Sequence, residues 1–583
     1  MLDHGIIPGL IQIKRMCPGT CCTRGAYHSQ EMAAHYSDMA HIAPTAVTAG
    51  PAPQGALIAA LRDAARYPHP AQRIEVLETH ISWVILTGPY AYKIKKPVNP
   101  GFLDFSSLEA RRHYCEEELR LNRRLAPSLY ETVVRITGSA DNPAIEGGGP
   151  AIEYAVRMRE FPQSALASRL LADGLLTSAH IDALAQRIAA FHADTGVAAR
   201  GSPYGAAEAV IAAARENFTH LERLLPDAAD QARIAELQAW TGREYNERLT
   251  RFVERQAQGC VRECHGDLHL GNIVLLDGQL TPFDCIEFNP ALRWIDVISE
   301  VAFLVMDLLD RGRTDFAWRF LNAYLEAGNG HAGLDVLHFY LVYRALVRAK
   351  VHALRAAQEG ITAAERARLL GASRGYIELA LRCAQGACPA IIVMHGLSGS
   401  GKSVIAQALA EHTGAIHLRS DIERKRISGL APLTHSGAPL AAGIYSNDVT
   451  RATYNRLLDL ARSAAHAGYP ALVDATFLKR WQRDLFRREA NAQRIPYIIV
   501  DVTAPEAVLR ERIAARLAAG SDASEANQGV LTHQLAQNEA LTGYELSVAL
   551  QFDTSCADRA AIVRDVRAAI DVNHAQRPSM PFK

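Results

Sequence analysis

Gly396-Leu397-Ser398-Gly399-Ser400-Gly401-Lys402-Ser403 decides how the last third of this chain is read. The spacing is G-x-x-x-x-G-K-[ST]. An apolar run, Ala390 to Met394, precedes it, and a helical run, Val404 to Leu409, follows, so the motif lies between a strand and a helix. Glycines at these positions let backbone N–H groups close around a phosphate, and the helix N-terminus adds positive potential. Gly396 to Gly401 is therefore predicted to cradle ATP. Lys402 is predicted to reach the β- and γ-phosphates, and Ser403 to ligate Mg2+. Further strand-like runs fall at Ala415 to Leu418, Ala471 to Asp474, Tyr497 to Val502 and Val548 to Asp553, with helical patterns between them. This alternation predicts an α/β P-loop domain, a parallel sheet flanked by helices.

Around the motif, Asp421 and Arg424 follow the second strand, and Asp474 ends the third. Arg512 and Arg516 stand one helical turn apart, ahead of Gly520 to Ser524, a candidate lid. Arginines closing on a transferring phosphate suit electrostatic catalysis. The layout resembles small P-loop kinases of the gluconate-kinase, polynucleotide-kinase and zeta-toxin type. That resemblance implies Asp421 as the base for an acceptor hydroxyl and Asp474 in the magnesium shell. A helix N-cap with a surface arginine is the competing reading of Asp421 and Arg424.

A second constellation lies upstream: His265-Gly266-Asp267-Leu268-His269-Leu270-Gly271-Asn272, with Asp284 twelve residues further on. Between them, Gly271 to Leu276 and Leu280 to Asp284 read as strands joined at Asp277-Gly278, a hairpin signal. The hairpin brings Asn272 and Asp284 to one small volume, where an amide oxygen and a carboxylate suit Mg2+. Asp267 precedes Asn272 by five, the offset between the catalytic Asp and the metal-binding Asn of protein kinases. The segment resembles the catalytic loop of aminoglycoside phosphotransferases, HGDxHxGN. By that resemblance Asp267 deprotonates a substrate hydroxyl, Asn272 and Asp284 hold magnesium, and His265 supports the loop. Leu270, where the family commonly has Pro, and Cys285-Ile286 after Asp284 depart from the pattern and bear on substrate class.

The preceding region then reads as a small kinase-like lobe. Strands are expected at Arg73 to Glu78, Ser82 to Thr87, Ala91 to Lys96, Glu131 to Ile136 and Ala151 to Met158, with a helix over Ser107 to Leu125. Lys93 is favoured as the phosphate-directed lysine, with Lys95, on the same strand face, as its rival. Glu118 is preferred to Glu116 and Glu117 as its partner. Met158 to Phe161 falls where backbone groups would bind adenine. His80-Ile81-Ser82 stands where a glycine-rich loop is expected. Arg293 and Asp296 resemble a segment in which an Asp steadies the catalytic loop. Tyr343, Arg344, Arg348 and Arg355 share a helical face, either solvated or receiving an anionic substrate.

The chain has 583 residues, more than one core supports. Composition shifts near 54, Pro162 and 384 to 389 divide it. We expect a flexible extension over 1–54, with a linker from Ala43 to Gln54, then a small lobe over 55–162. A helix-rich large lobe over 163–385 and a P-loop kinase domain over 386–583 follow. The fold class is thus an α+β bilobal protein-kinase-like domain followed by an α/β P-loop domain. This order is similar to bacterial proteins with an aminoglycoside phosphotransferase-like domain followed by a P-loop kinase domain.

Lys plus Arg is 62 and Asp plus Glu is 62, so no global field draws the chain to nucleic acid or to an anionic membrane. Nor is an aromatic-basic groove visible, which sets nucleic acid low among partners. The ten cysteines form no C-x-x-C pair, and Cys17, Cys21 and Cys22 read as reduced thiols rather than as a metal cluster. Asp3 and Pro8 argue against a secretory signal, and a cytoplasmic location is expected. The function expected is ATP- and Mg2+-dependent phosphoryl transfer to small-molecule hydroxyl acceptors, at two sites. The alternative is a module that senses nucleotide without turnover.

Overall fold

The computed structural model describes residues 52–575, apart from 72, 80, 100–102, 329, 432–433, 435–442, 520–525 and 557. The cysteine trio, the candidate lid at Gly520 to Ser524 and His80 therefore lie outside the described residues. Contacts divide the chain into two units. The first holds the residues up to Asp310 with Phe339–Ala384; the second holds Arg311–His338 with the residues from Gln385 onward.

In the first unit, α1 (Ala52–Ala60) precedes β1 (Glu75–Glu78), β2 (Ser82–Leu86) and β3 (Tyr90–Lys95). Then come α2 (Leu108–Asn122), β4 (Tyr130–Ser139), β5 (Asn142–Ile145) and β6 (Ala151–Arg159). α1 corrects the linker boundary: Ala52 to Gln54 belong to a helix, because Leu57, Ile58 and Leu61 have a sheet face to cover. The six strands form one antiparallel sheet in the order β1-β2-β3-β6-β4-β5. Alternation along β3 assigns its side chains. Tyr92 and Ile94 join the core beneath α1, with Val76, Ile85, Val134 and Ile136. Lys93 and Lys95 point to the opposite face, where α2 packs. Ser107 caps α2, its hydroxyl accepting from the Ala110 N–H at 3.0 Å.

Helices α3 (Ala167–Ala172), α4 (Ser178–Asp194), α5 (Ala207–Leu224) and α6 (Ala228–Ala257) follow. β7 (Val261–Glu263) leads into the 265–272 loop, and β8 (Ile273–Leu276) pairs with β9 (Gln279–Pro282). Asp277 and Gly278 both take positive φ, 49° and 78°, as a two-residue hairpin turn of matching twist requires. α7 (Pro290–Arg293), β10 (Trp294–Asp296) and the buried α8 (Val297–Asp310) come next.

α9 (Thr314–Gly328) belongs to the second unit. α10 (Leu334–Ala356) and α11 (Ala363–Gln385) carry the chain back through the first. Arg344, Arg348 and Arg355 on α10 are buried, so the shared face is neither solvated nor open. The Arg344 side chain donates to the Ser299 carbonyl at 3.1 Å and lies over the Phe303 ring.

The second unit continues with β11 (Ile391–His395), α12 (Lys402–Thr413), β12 (Ile416–Arg419), α13 (Ser420–Ile427), α14 (Asn447–His466) and β13 (Ala471–Asp474). Next are α15 (Arg480–Gln493), β14 (Tyr497–Thr503), α16 (Glu506–Ala519), α17 (Gln528–Gln537), α18 (Gly543–Ser547), β15 (Ala549–Asp553) and α19 (Arg559–Ala575). The sheet is wholly parallel, in the order β12-β13-β11-β14-β15. Ile391 to Met394 is buried throughout, as befits a central strand covered on both faces. Ile392, Met394, Val500 and Val502 pack against Ile405 and Leu409 of α12 and Ile562 and Val566 of α19. The edge strand β12 is closed by a side chain of α9. Asn322 Nδ2 donates to the Ala415 carbonyl at 3.0 Å, and its Oδ1 accepts from the His417 N–H at 2.8 Å. One amide thus takes the place of a neighbouring strand on an otherwise open edge.

Candidate functional site: two phosphate-directed clusters

In the first unit, Lys93 Nζ lies 2.8 Å from Glu118 Oε1 and 2.7 Å from Asp284 Oδ1. Lys95 Nζ lies 2.8 Å from Glu118 Oε2 and also contacts Glu287. Both lysines named from the sequence therefore meet the same glutamate. Glu116 pairs instead with Arg112, and Glu117 with Arg120 and Arg293. Burial would raise the Glu118 carboxyl, but Lys93 and Lys95 outweigh it and hold the group down to about 2. Burial also opposes charge on Lys93, and Asp284 and Glu118 more than compensate.

Asp284 takes a left-handed backbone, φ 65°, two residues beyond the hairpin. Such a conformation, which Asp tolerates better than most residues, costs on the order of 1–3 kcal/mol and is found where surrounding contacts fix it. Here the Asp284 N–H donates to Tyr130 Oη, the Cys285 N–H to Asn122 Oδ1 and the Phe283 N–H to the Asn272 carbonyl. Asn272 Nδ2 donates to Asp267 Oδ2 at 2.8 Å. Its Oδ1 is buried and has no hydrogen-bond partner. An orphaned amide oxygen beside a carboxylate is a donor set that fits a hard divalent cation. His265 Nε2 donates to the Phe283 carbonyl at 2.8 Å, and its Nδ1 accepts from the Asp267 N–H, which ties loop to hairpin.

The loop is held by residues that the sequence reading missed. Glu300 on α8 accepts from the His265 N–H at 3.1 Å and the Gly266 N–H at 2.7 Å. Asp307, two turns along, accepts from the Leu270 N–H at 2.8 Å. Against its burial, the His192 hydrogen bond and charge help to hold the Glu300 carboxyl down to about 2. Asp296, expected to steady this loop, instead binds Arg255 through two 2.7 Å contacts and caps the Ile298 N–H. Their spacing of seven on one predicted helix could have flagged Glu300 and Asp307. Met158 and Phe161 pack with Tyr130, Leu276 and Phe283 as an apolar patch. The Phe161 and Phe283 rings meet edge-on at 5.3 Å.

In the second unit, a cavity of about 390 Å³ opens beside the 396–403 loop. Gly396 and Gly399 adopt φ 140° and 84°, and a Cβ there would sit 2.2 Å from the Val502 carbonyl oxygen and 2.7 Å from that of Leu509. Lys402, Ser403, Asp421, Arg424, Asp474, Arg512 and Arg516 all line the cavity. Lys402 Nζ donates to the Leu397 carbonyl at 2.7 Å; burial lowers its pKa to about 8, against the pull of Asp474 and Asp421. Arg512 binds Thr554 and reaches the Gly399 and Ser400 carbonyls; Arg516 binds the Ala526 carbonyl. Arg424 contacts the Ile444 carbonyl and Thr450 Oγ1, and its Nε is buried without a hydrogen-bond partner.

Among the described residues, no ion pair is formed by Lys402, Arg424, Arg512 or Arg516. Asp421 lies in the first turn of α13, whose N-cap is Arg419, so the N-cap reading of Asp421 does not hold. Asp474 is buried, and the His417 hydrogen bond helps to lower its pKa against that burial. The carboxylate of Asp474 and the exposed hydroxyl of Ser403 line the same cavity, which suits a hydrated cation. The sequence reading missed Arg419, Tyr445, Tyr454 and Gln534. Gln534 Oε1 accepts from the Ser398 N–H at 2.8 Å.

Residues 391–541 match the family model described as an AAA domain. Over 452 residues the chain is 31% identical to the uncharacterized protein Rv2004c of Mycobacterium tuberculosis, covering 77% of this chain and 88% of that protein. Among solved structures it is similar to amicoumacin kinase hAmiN in complex with AMP-PNP, Ca2+ and Ami. That match has 14% identity, a TM-score of 0.34, and covers 55% of this chain and 92% of that one. A gluconokinase from Sinorhizobium meliloti 1021 is 24% identical, with a TM-score of 0.24, over 33% of this chain and 99% of that one. Among the described residues, no helix is long and apolar enough to cross a membrane.

Proposed function

The chain belongs to the same family as that mycobacterial protein, and from this premise we propose an ATP- and Mg2+-dependent phosphotransferase with two sites. The observation that carries the proposal is the second unit's cavity. Four cations without a carboxylate partner gather there around a phosphate-cradling loop. Lys402 and Arg424 are buried and Arg512 and Arg516 half-buried; such a cluster calls for an anionic ligand, because leaving a charge unpaired in a protein interior is expensive. Lys402 and the loop N–H groups would take the polyphosphate, Arg512 and Arg516 the moving phosphoryl group, and Asp421 the acceptor hydroxyl proton. Arg424 favours an acceptor that carries a negative charge as well as its hydroxyl.

We read the first unit as a bilobal, protein-kinase-like phosphotransferase. Lys93 would direct the α- and β-phosphates with Glu118 behind it. Met158 to Phe161 would seat the base. Asp267 would accept the acceptor's proton as the new O–P bond forms and the bridging bond to ADP breaks. Asn272 and Asp284 would hold magnesium here, and Ser403 and Asp474 in the second unit. When bound, the metal neutralises charge on the transferring phosphates.

The test is ATP turnover against a pooled library of sugars, aminoglycosides, nucleosides and oligonucleotides. It compares the intact chain with Asp267→Asn and Lys402→Ala. Each substitution should remove part of the turnover. Unchanged turnover in both would overturn the proposal. ATP bound without any product would favour a nucleotide sensor.

A further inference from the structure

β3 carries two lysines toward α2 where one phosphate-directed lysine would suffice. Both are engaged with the same carboxylate: Glu118 gives Oε1 to Lys93 and Oε2 to Lys95, each at 2.8 Å. Lys95 then reaches Glu287, three residues past Asp284. Glu118 is 0%, Lys95 1% and Glu287 3% exposed, so water screens none of these charges. The cluster comprises two ammonium groups and three carboxylates, counting Asp284. Asp284, the carboxylate that binds Lys93, stands just past the hairpin that follows Asn272, whose Oδ1 is orphaned.

Lys95 is itself fixed. Its carbonyl accepts from Gln54 Nε2 at 2.9 Å, and its ammonium lies 5.0 Å from the centre of the Phe105 ring. Glu287 is fixed too, its carbonyl accepting from Arg293 at 3.0 Å.

We infer that Lys95 is a positioning residue for Lys93: bound to Glu118 and Glu287, it immobilises the Glu118 carboxylate. Lys93 can then exchange Asp284 for a polyphosphate while Asp284 turns to a cation. Without Lys95, the charge of Lys93 faces three buried carboxylates alone. Both oxygens of Glu118 then compete for it, and Lys93 is drawn away from the phosphates. Lys95 thus sets the charge balance of the metal end without touching nucleotide. The inference rests on the reading of the first unit as a nucleotide site.

The test uses the full chain carrying Lys402→Ala, at AMP-PNP concentrations below those the weakened second unit binds. AMP-PNP binding is followed by calorimetry, and Mn2+ binding by its paramagnetic resonance signal in the presence of AMP-PNP. Lys95→Met should weaken AMP-PNP by about tenfold or more and raise the Mn2+ half-saturation concentration. Lys95→Arg should stay within about threefold of the parent. The charge-balanced pair Lys95→Met with Glu287→Gln should recover most of the loss, which a packing role for Lys95 would not produce. These two variants carry the test if Lys95→Met alone fails to fold. A folded Lys95→Met that binds both probes like its parent would overturn the inference and leave the reading of the site standing. A paired variant no better than the single one would do the same. A parent that binds no AMP-PNP would overturn that reading and the inference with it.

Discussion

The two candidate clusters arrange their charges in opposite ways. In the first unit the cations and carboxylates neutralise one another: Lys93 with Asp284 and Glu118, Lys95 with Glu118 and Glu287. In the second, Lys402, Arg424, Arg512 and Arg516 contact carbonyls and hydroxyls and leave their charge available to a ligand. The first arrangement is preorganised by ion pairs that a ligand must rearrange. The second is preorganised by backbone: a glycine loop, a helix start and arginines braced on carbonyl groups. An anion should therefore enter the second site with little rearrangement, whereas the first should respond to metal and nucleotide together.

The largest effect should come from Asp267→Asn. Loss of a positioned base typically lowers a rate by about 10²–10⁴-fold. Transfer by the first unit should fall by that much, with AMP-PNP binding little changed. A variant that keeps its kcat would place the base elsewhere and blunt the comparison. Lys402→Ala should come next. A hydrogen bond to a charged group contributes about 1.5–3 kcal/mol, so nucleotide affinity in the second unit should drop about tenfold to 100-fold by calorimetry.

Glu300→Gln should destabilise the first unit by about 1–3 kcal/mol in urea unfolding, because the two loop N–H groups and His192 lose their ionised acceptor. The wild-type contribution has a defined pH window. The Glu300 carboxyl is held near 2 in the fold, below its ordinary value, so it stabilises above about pH 4.5. That contribution is lost as pH falls toward 2. The smallest effect should be a pH dependence of the second site alone. The Lys402 ammonium, depressed to about 8, is charged below that pH and favours phosphate there. Nucleotide affinity should be level below pH 7.5 and decline above about 8, by roughly a few-fold. Equal decline at both sites would erase the distinction drawn between them.

Local features of the fold were legible in the sequence. The Asp277-Gly278 hairpin and the strand–loop–helix around Gly396 to Ser403 follow from neighbouring residues alone. So does the alternation of five parallel strands, because buried parallel strands are continuous apolar runs. β5 escaped notice because Asn142-Pro143 reads as a turn, although its Ala144 and Ile145 complete an edge.

What was not legible depends on distant partners. Helical spacing placed Arg344, Arg348 and Arg355 on one face but could not say that the face is buried. Glu300, Asp307 and Asn122 act through backbone groups more than 30 residues away in sequence; the spacing of seven puts Glu300 and Asp307 on one helical face, but nothing local says which loop that face holds. α9 is the extreme case. It lies among first-unit helices in sequence, yet Asn322 closes β12, and Glu326 pairs with Arg419 at the cavity wall. A chain cut near 385 would strip α9 from the second unit, so each site is best probed by point substitution in the intact protein.

The most direct test of two separate nucleotide sites is the number of AMP-PNP molecules bound per chain, measured by equilibrium dialysis with Mg2+. The account predicts two for the intact chain, one for Lys402→Ala, one for Lys93→Met and none for the double variant. A single equivalent on the intact chain, or a count that Lys402→Ala leaves unchanged, would contradict it.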